Sequence, residues 1–356
     1  MSQAYKVIGL MSGTSLDGVD IAYCFFRFSG NEWSYEIIAA ETVPYPGEWK
    51  QRISSLQQGS ALELAATDAG YGTYLGDLTL DFTRRNKAAP DFIASHGHTV
   101  FHQPGKKMTF QIGKGSAIAA VTGLPVVCDF RSGDVSLGGQ GAPLVPVGDR
   151  YLFPQYDFCL NLGGFGNISY ESRGKRIAFD ICPVNTVLNH LAGNLGLAYD
   201  KEGEAARSGT LDKPLLEALD GLEYYRAAPP KSLGTEWLSE HFFPVMQSFE
   251  IPVNDRLRTV CEHVARQVSG VLPDDPGIRM LVTGGGALNS FLVERIRQNT
   301  RTTLVLPDMD TIHFKEALIF AFLGILRWRE EPNCLSSVTG ASQDNIGGAV
   351  YYPYKK

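Results

Sequence analysis

Residues 12–18 of this 356-residue chain read Ser12-Gly13-Thr14-Ser15-Leu16-Asp17-Gly18, a run of small hydroxyl residues and glycines around one carboxylate, set between two apolar stretches. Such a turn lets backbone N–H groups converge on an anion, with the Ser and Thr hydroxyls as further donors. A bare carboxylate would repel phosphate there. Asp17 makes chemical sense as a ligand of Mg²⁺, a hard cation that takes one or two carboxylates together with phosphate oxygens and water. The plain alternative is an Asp-Gly hairpin turn. Two further glycine-rich turns follow, one at Gly163 to Asn167 (GGFGN) and one at Gly284-Gly285-Gly286. The triple glycine follows an apolar run and precedes a helical pattern, with Asp308 roughly 20 residues on, as at a dinucleotide site. The third glycine of that fingerprint falls on Asn289, however, which favours ATP over NAD.

Other residues offer proton transfer or metal binding. Asp180 closes an apolar run, where a carboxylate is well placed as a general base, or as a solvated cap of the next turn. Arg131 could fork onto a substrate carboxylate, or pair with Asp129 or Asp134. His96, His98 and His102 alternate along a β-rich run, so the first two would share a face, as in some metal hydrolases. That reading predicts turnover without ATP; hydrogen bonding to substrate or backbone is the other. Glu316 lies one turn into an apolar helix, either as a residue favoured by the helix dipole or as a partner of Asp17 on Mg²⁺.

The elements that would position these groups form two series. Strands are expected at 5–11, 19–28, 35–43, 92–95 and 125–130, with helices at 61–80 and 115–122. Near residue 150 the pattern restarts: strands at 156–162, 168–171 and 176–181, then helices at 186–195, 211–219 and 256–272. A βαβ unit over 278–306 and a buried helix at 315–330 complete the chain. Strand, glycine-rich turn, strand thus occurs twice, predicting two similar α/β lobes with mixed sheets that offer their turns to a shared cleft. Composition sets outer bounds. The chain is 44% hydrophobic with a formal charge of −6, so it can fill a core and lacks the basic block that nucleic acid demands. The greasiest segment spans only ten residues, and the N-terminus lacks the long apolar core of a signal peptide, so no membrane association is expected. Six scattered cysteines read as reduced core thiols, and a cytoplasmic protein is expected.

The motifs MSGTSLDGVD, SHGHTVFHQPG, DFRSGDVSLGGQGAPLVP, NLGGFGNIS, FDICPVN, PPKSLGTEWL, VTGGGALN, KEALIFAFLG and SVTGA occur in the order that the anhydro-N-acetylmuramic acid kinases show. The resemblance covers nearly the whole chain. It implies two RNase H-like lobes of the sugar kinase/Hsp70/actin superfamily with an interlobe ATP cleft, an N-terminal lobe over 1–135 and a C-terminal lobe over 136–356, whose tail can pack back on the first. It further implies an ATP- and Mg²⁺-dependent reaction in which water opens an anhydrosugar and O6 is phosphorylated. In that reading Asp180 activates the water. Ser12, Gly13, Thr14, Ser15, Asp17, Gly18, Gly163, Gly164 and Asn167 embrace the phosphates, and Gly284, Gly285 and Gly286 lie near the adenosine. Asp17 and Glu316 hold the metal, while His96, Pro104, Arg131 and Asn185 line the sugar site. A homodimer is the family expectation. The chain departs from the family after Asp180, where Ile181, Cys182, Pro183 and Val184 are bulkier than the usual Thr-Gly-Pro-Gly. That change would reshape the sugar pocket, and a pocket without lactyl or N-acetyl contacts would point to a levoglucosan-type kinase; a non-catalytic ATP-binding scaffold of the same fold is the other alternative.

Overall fold

A computed structural model describes residues 2–13 and 15–353; Thr14 of the first turn lies outside the described residues. The chain divides into two compact units, one built from the chain up to Leu152 together with the chain from Phe314 onward, the other from Phe153–His313. The division therefore falls after 152 rather than after 135. The segment Val145–Leu152 is helical and buries Val147 and Leu152, so it stays with the first unit. From Phe314 on, the helix that carries Glu316 and the tail behind it also belong to the first unit, not to the second lobe in which the sequence reading placed them.

In the first unit, β1 (Gln3–Ser12), β2 (Gly18–Ser29) and β3 (Glu32–Pro44) form an antiparallel meander. β4 (Phe92–Gln103) pairs parallel to β1, and β6 (Val126–Cys128) parallel to β4. Two strands that the sequence did not announce complete the sheet: β5 (Met108–Ile112) on β4 and β12 (Ala349–Tyr351) on β6. Helices Ala61–Asn86 and Gly115–Thr122 cover one apolar side, with Tyr71, Leu75 and Phe82 of the longer helix in the core. Ser60 and Glu63 form a reciprocal capping box that starts it. The apolar helix Met309–Trp328 packs onto β1 at Gly9, where a Cβ would lie 1.9 Å from the Ala317 carbonyl oxygen. Only glycine permits that approach.

The second unit repeats the plan. β7 (Phe158–Leu162), β8 (Phe165–Ser172) and β9 (Lys175–Pro183) form the meander, and β10 (Arg279–Thr283) and β11 (Thr303–Val305) add parallel strands beside β7. Read from the meander edge, the orders are β3-β2-β1-β4-β6 and β9-β8-β7-β10-β11. Two antiparallel pairings followed by two parallel ones occur in both, which gives the expected internal resemblance a topological basis. The core of this unit gathers the inward residues of the sheet with helices Asn185–Gly193, Val253–Gly270 and Ser290–Asn299. All six cysteines are buried. Among the described residues no helix is long and apolar enough to cross a membrane.

Candidate active site

The first turn is built from the end of β1. Ser12 is its last residue and is buried, with its Oγ 2.6 Å from the Tyr45 hydroxyl and 2.9 Å from His98 Nδ1. Tyr45 in turn bonds the Tyr71 hydroxyl of the long helix. A polar chain thus runs under the turn, and the sequence reading missed it because its members are 26 to 86 residues apart. Ser12 is consequently committed to the protein, whereas Ser15 and Asp17 are exposed. Leu16 takes a left-handed backbone, φ 57°, and its N–H bonds the Gly13 carbonyl, closing the turn. Gly18 already belongs to β2, where a Cβ would meet the Val43 carbonyl at 2.3 Å.

His96 and Arg131 are brought together as a hydrogen-bonded pair. Arg131 Nε and Nη2 lie 3.0 and 2.9 Å from His96 Nε2, and Nη1 donates to the Gly141 carbonyl at 2.6 Å. With Nε2 accepting, His96 Nδ1 carries the proton and donates to the Gly97 carbonyl at 2.9 Å. Burial and the adjacent guanidinium hold His96 well below its usual range, and burial lowers Arg131 to about 10. Neither Asp129 nor Asp134 is the partner that the sequence reading offered Arg131. Asp134 is fully buried and accepts from the Gly141 N–H, Thr339 Oγ1 and Asn345 Nδ2, each at 2.8 Å. Its role is to bind the GGQGA loop to the C-terminal tail. Pro104 opens the short turn Pro104–Lys106 after β4, half-buried.

Glu316 is half-buried, and burial followed by the Asp20 carboxylate pushes its pKa up, with Arg131 and Lys315 opposing. Lys315 is itself buried in a pair with Asp149 at 2.7 Å. The carboxylate that Glu316 senses is thus Asp20 rather than the expected Asp17. Asp20 lies on β2 opposite Met11, three residues beyond Asp17, and accepts from Thr42 Oγ1 at 2.5 Å. No cluster of three or more His, Cys, Asp or Glu able to hold a metal occurs among the described residues.

In the second unit the GGFGN stretch is less of a turn than expected, since β8 begins at Phe165 and only Gly163 and Gly164 lie between strands. Their carbonyls receive the N–H groups of Asn185, Val184 and Thr186, so the turn is tied to the start of the next helix. A register shift between Gly166 and Asn167 sets Asn167 opposite Asp180. Asp180 is half-buried on β9, and burial raises its pKa against the opposing effect of the Leu233 N–H, which donates to Oδ2 at 2.9 Å. Beyond it, Ile181, Cys182 and Val184 point into the hydrophobic core. Their bulk is packed there.

Asn185, read as a sugar-site residue, opens the helix Asn185–Gly193. Its Nδ2 donates to the Leu162 carbonyl at 3.0 Å, and with Gly285 it walls a pocket of about 340 Å³. Gly284 turns the chain at the end of β10 with φ 82°; a Cβ there would sit 2.6 Å from Asn161 Oδ1, so only glycine fits. Tyr199, Glu202, Leu288 and His313 complete much of the wall. Asn289, which breaks the dinucleotide fingerprint, is the N-cap of the following helix, accepting from Leu292 N–H at 2.9 Å. Asp308 is likewise a cap, accepting from both the N–H and Oγ1 of Thr311.

Two mixed sheets of one strand order, one ending its first strand in a hydroxyl-rich turn and the other bearing the half-buried Asp180, with a pocket beside Gly285 in the same unit, define a two-unit α/β fold. The chain belongs to the anhydro-N-acetylmuramic acid kinase family, whose family model matches residues 5–353. It is 36% identical to the anhydro-N-acetylmuramic acid kinase of Sulfurovum sp. (strain NBC37-1), covering 97% of this chain and 99% of the relative. It is 35% identical to that of Vibrio cholerae serotype O1, covering 99% and 100%. Among solved structures, the activator of the 2-hydroxyisocaproyl-CoA dehydratase from Clostridium difficile with bound ADPNP is similar over 91% of this chain and 96% of that one, at 13% identity and TM-score 0.45.

Proposed function

We propose that this enzyme uses ATP and water to convert 1,6-anhydro-N-acetylmuramic acid to N-acetylmuramic acid 6-phosphate and ADP, a step of peptidoglycan recycling in the cytoplasm. The observation that carries the reading is Asp180. One carboxylate oxygen is held by the Leu233 N–H, leaving the other to accept a proton, and burial makes the group a stronger base than a solvated Asp. Asp180 takes a proton from water as the water oxygen bonds C1. The C1–O6 bond breaks, and O6 takes the γ-phosphoryl group while ADP leaves. No oxidant or further reactant is needed.

The remaining residues orient and neutralise. Phosphoryl transfer depends on alignment and charge compensation more than on covalent help from the protein. The turn from Gly13 to Asp17 and the pair Gly163-Gly164 are assigned to the phosphates, and the pocket walled by Gly285 to the nucleoside. The neutral His96, held by Arg131, is assigned to the sugar as part of a fixed wall. Mg²⁺ fits the residues present: the Asp20 carboxylate adds to the cost of ionising Glu316, and a divalent cation relieves that cost. Glu316, with Asp17 or Asp20, would hold the ion, which would supply charge neutralisation on the phosphates. The test is ADP release by the purified protein with Mg·ATP and the anhydro sugar. Release with levoglucosan but not with the muramic sugar would overturn the substrate assignment.

A further inference from the structure

Asp180 is held from behind by a second set of groups that the reaction itself does not use. Its backbone carbonyl accepts from the Tyr224 hydroxyl at 2.6 Å, and its backbone N–H donates to the Lys231 carbonyl at 3.2 Å. Tyr224 lies in the short turn Glu223–Arg226 with Tyr225 beside it, the two rings 5.6 Å apart and nearly perpendicular. The neighbouring hydroxyls serve opposite ends. While Tyr224 reaches the strand of the base, Tyr225 OH lies 2.9 Å from Nε2 of His263, a residue with no exposed surface. His263 Nδ1 is 2.6 Å from Asp220 Oδ1, and Asp220 also accepts from Arg266 and Gln267 at 3.0 Å. A proton on Nδ1 serves the carboxylate and leaves Nε2 to accept from Tyr225. Burial keeps the ring neutral, while its hydrogen bonds keep Asp220 ionised.

We propose that Tyr224 is a positioning residue for Asp180, and that Asp220, His263 and Tyr225 form the buried anchor from which it acts. The inference rests on Asp180 being the base. The physical need is clear in the loop: residues 227–234 include two Pro and one Gly, and their two bonds to Asp180 come from a segment without regular structure. The bond from Tyr224, which lies outside that loop, gives the backbone of β9 a separate hold that keeps the carboxylate in register. Lys231 joins the two, donating to the Tyr224 carbonyl at 3.1 Å with its ammonium 4.6 Å from the Tyr224 ring centre. Tyr224 bonds the carbonyl and not the carboxylate, so its loss should misplace the base without changing its acidity.

Three variants test this with the full-length enzyme: Tyr224→Phe, Tyr225→Phe and Asp180→Asn. Tyr224→Phe should lower kcat about tenfold, the value of one well-placed hydrogen bond, at unchanged KM for both substrates. The acid limb of its kcat/KM profile should stay where the wild type has it. Tyr225→Phe should show the same split with a smaller drop, and rates are normalised to the folded fraction measured by circular dichroism. A wild-type kcat in Tyr224→Phe, beside an inactive Asp180→Asn, overturns the positioning role and leaves the base assignment standing. A shifted acid limb overturns it too, since Tyr224 would then act on the carboxylate's charge. Full activity in Asp180→Asn instead removes the reading on which the proposal rests.

Discussion

His98 makes the stability of the first unit depend on pH in a calculable way. It is 4% exposed, and burial lowers its pKa to about 4, against an ordinary value of 6.5. In the unfolded chain the ring therefore takes its proton first as pH falls. The stabilisation is complete above pH 6.5 and is lost progressively as pH drops from 6.5 to 4. At about 1.4 kcal/mol per pH unit, going from pH 8 to pH 5 costs about 2 kcal/mol through this group alone. For a unit of nearly two hundred residues that is about 4–8 °C in Tm. His98→Gln keeps an amide able to bond Ser12 Oγ and removes the titration. Thermal unfolding at pH 8, 7, 6 and 5 should show the wild-type Tm falling faster than that of the variant, with the gap opening below pH 6.5. His96 drifts in the same sense in both proteins and cancels. Parallel Tm lines from pH 8 to 5 would refute the burial argument.

Three further outcomes follow from the site. Asp180 must be ionised to accept a proton, and its pKa is raised, so the acid limb of kcat/KM should lie above 3.8, the ordinary Asp value; a limb at or below it in a pH–rate profile would contradict this. Gly284→Ala forces a side chain into a left-handed backbone 2.6 Å from Asn161 Oδ1. It should cost about 1–3 kcal/mol in unfolding experiments and raise KM for ATP, while a wild-type KM would show that the pocket beside it does not take the nucleotide. Glu316→Gln removes one of two facing carboxylates, so the free-metal concentration for half-maximal turnover should rise at least tenfold in a Mg²⁺ titration. An unchanged titration would take Glu316 out of the metal set.

What could be read from the sequence was what neighbouring residues decide. The β-rich apolar runs at β1 to β3 and at β7 to β9 were visible because central strands such as β1, β2 and β7 bury consecutive residues on both faces, and the helix Gly115–Thr122 matched to the residue. β12 was hidden because three residues carry no period, and its pairing with β6 joins positions more than two hundred residues apart. The same distance hid the site's partners. Nothing local to Arg131 says that His96 will occupy its guanidinium while Asp134 is drawn away by Thr339 and Asn345. Asp20, rather than Asp17, neighbours Glu316 because β2 has already begun at Gly18 and carries Asp20 opposite Met11 of β1. An Asp spaced i+3 from Asp17 was the available signal. Asp180 stood out as a carboxylate in an apolar run, but β9 continues past it to Pro183, so it lies within the strand and not at its end; the bonds from Leu233 and Tyr224 that shape it were not legible.

The central claim, that water and not the protein or the sugar's own hydroxyl opens the ring at C1, can be measured by the fate of labelled oxygen. The reaction is run in H₂¹⁸O with Mg·ATP and the anhydro sugar, and quenched with borohydride so that C1 cannot exchange. Mass spectrometry of the reduced product should find one ¹⁸O at C1 and none in the phosphate. Label in phosphate with an unlabelled C1 would mean that the water attacks ATP instead, and the assignment of Asp180 would fall with it.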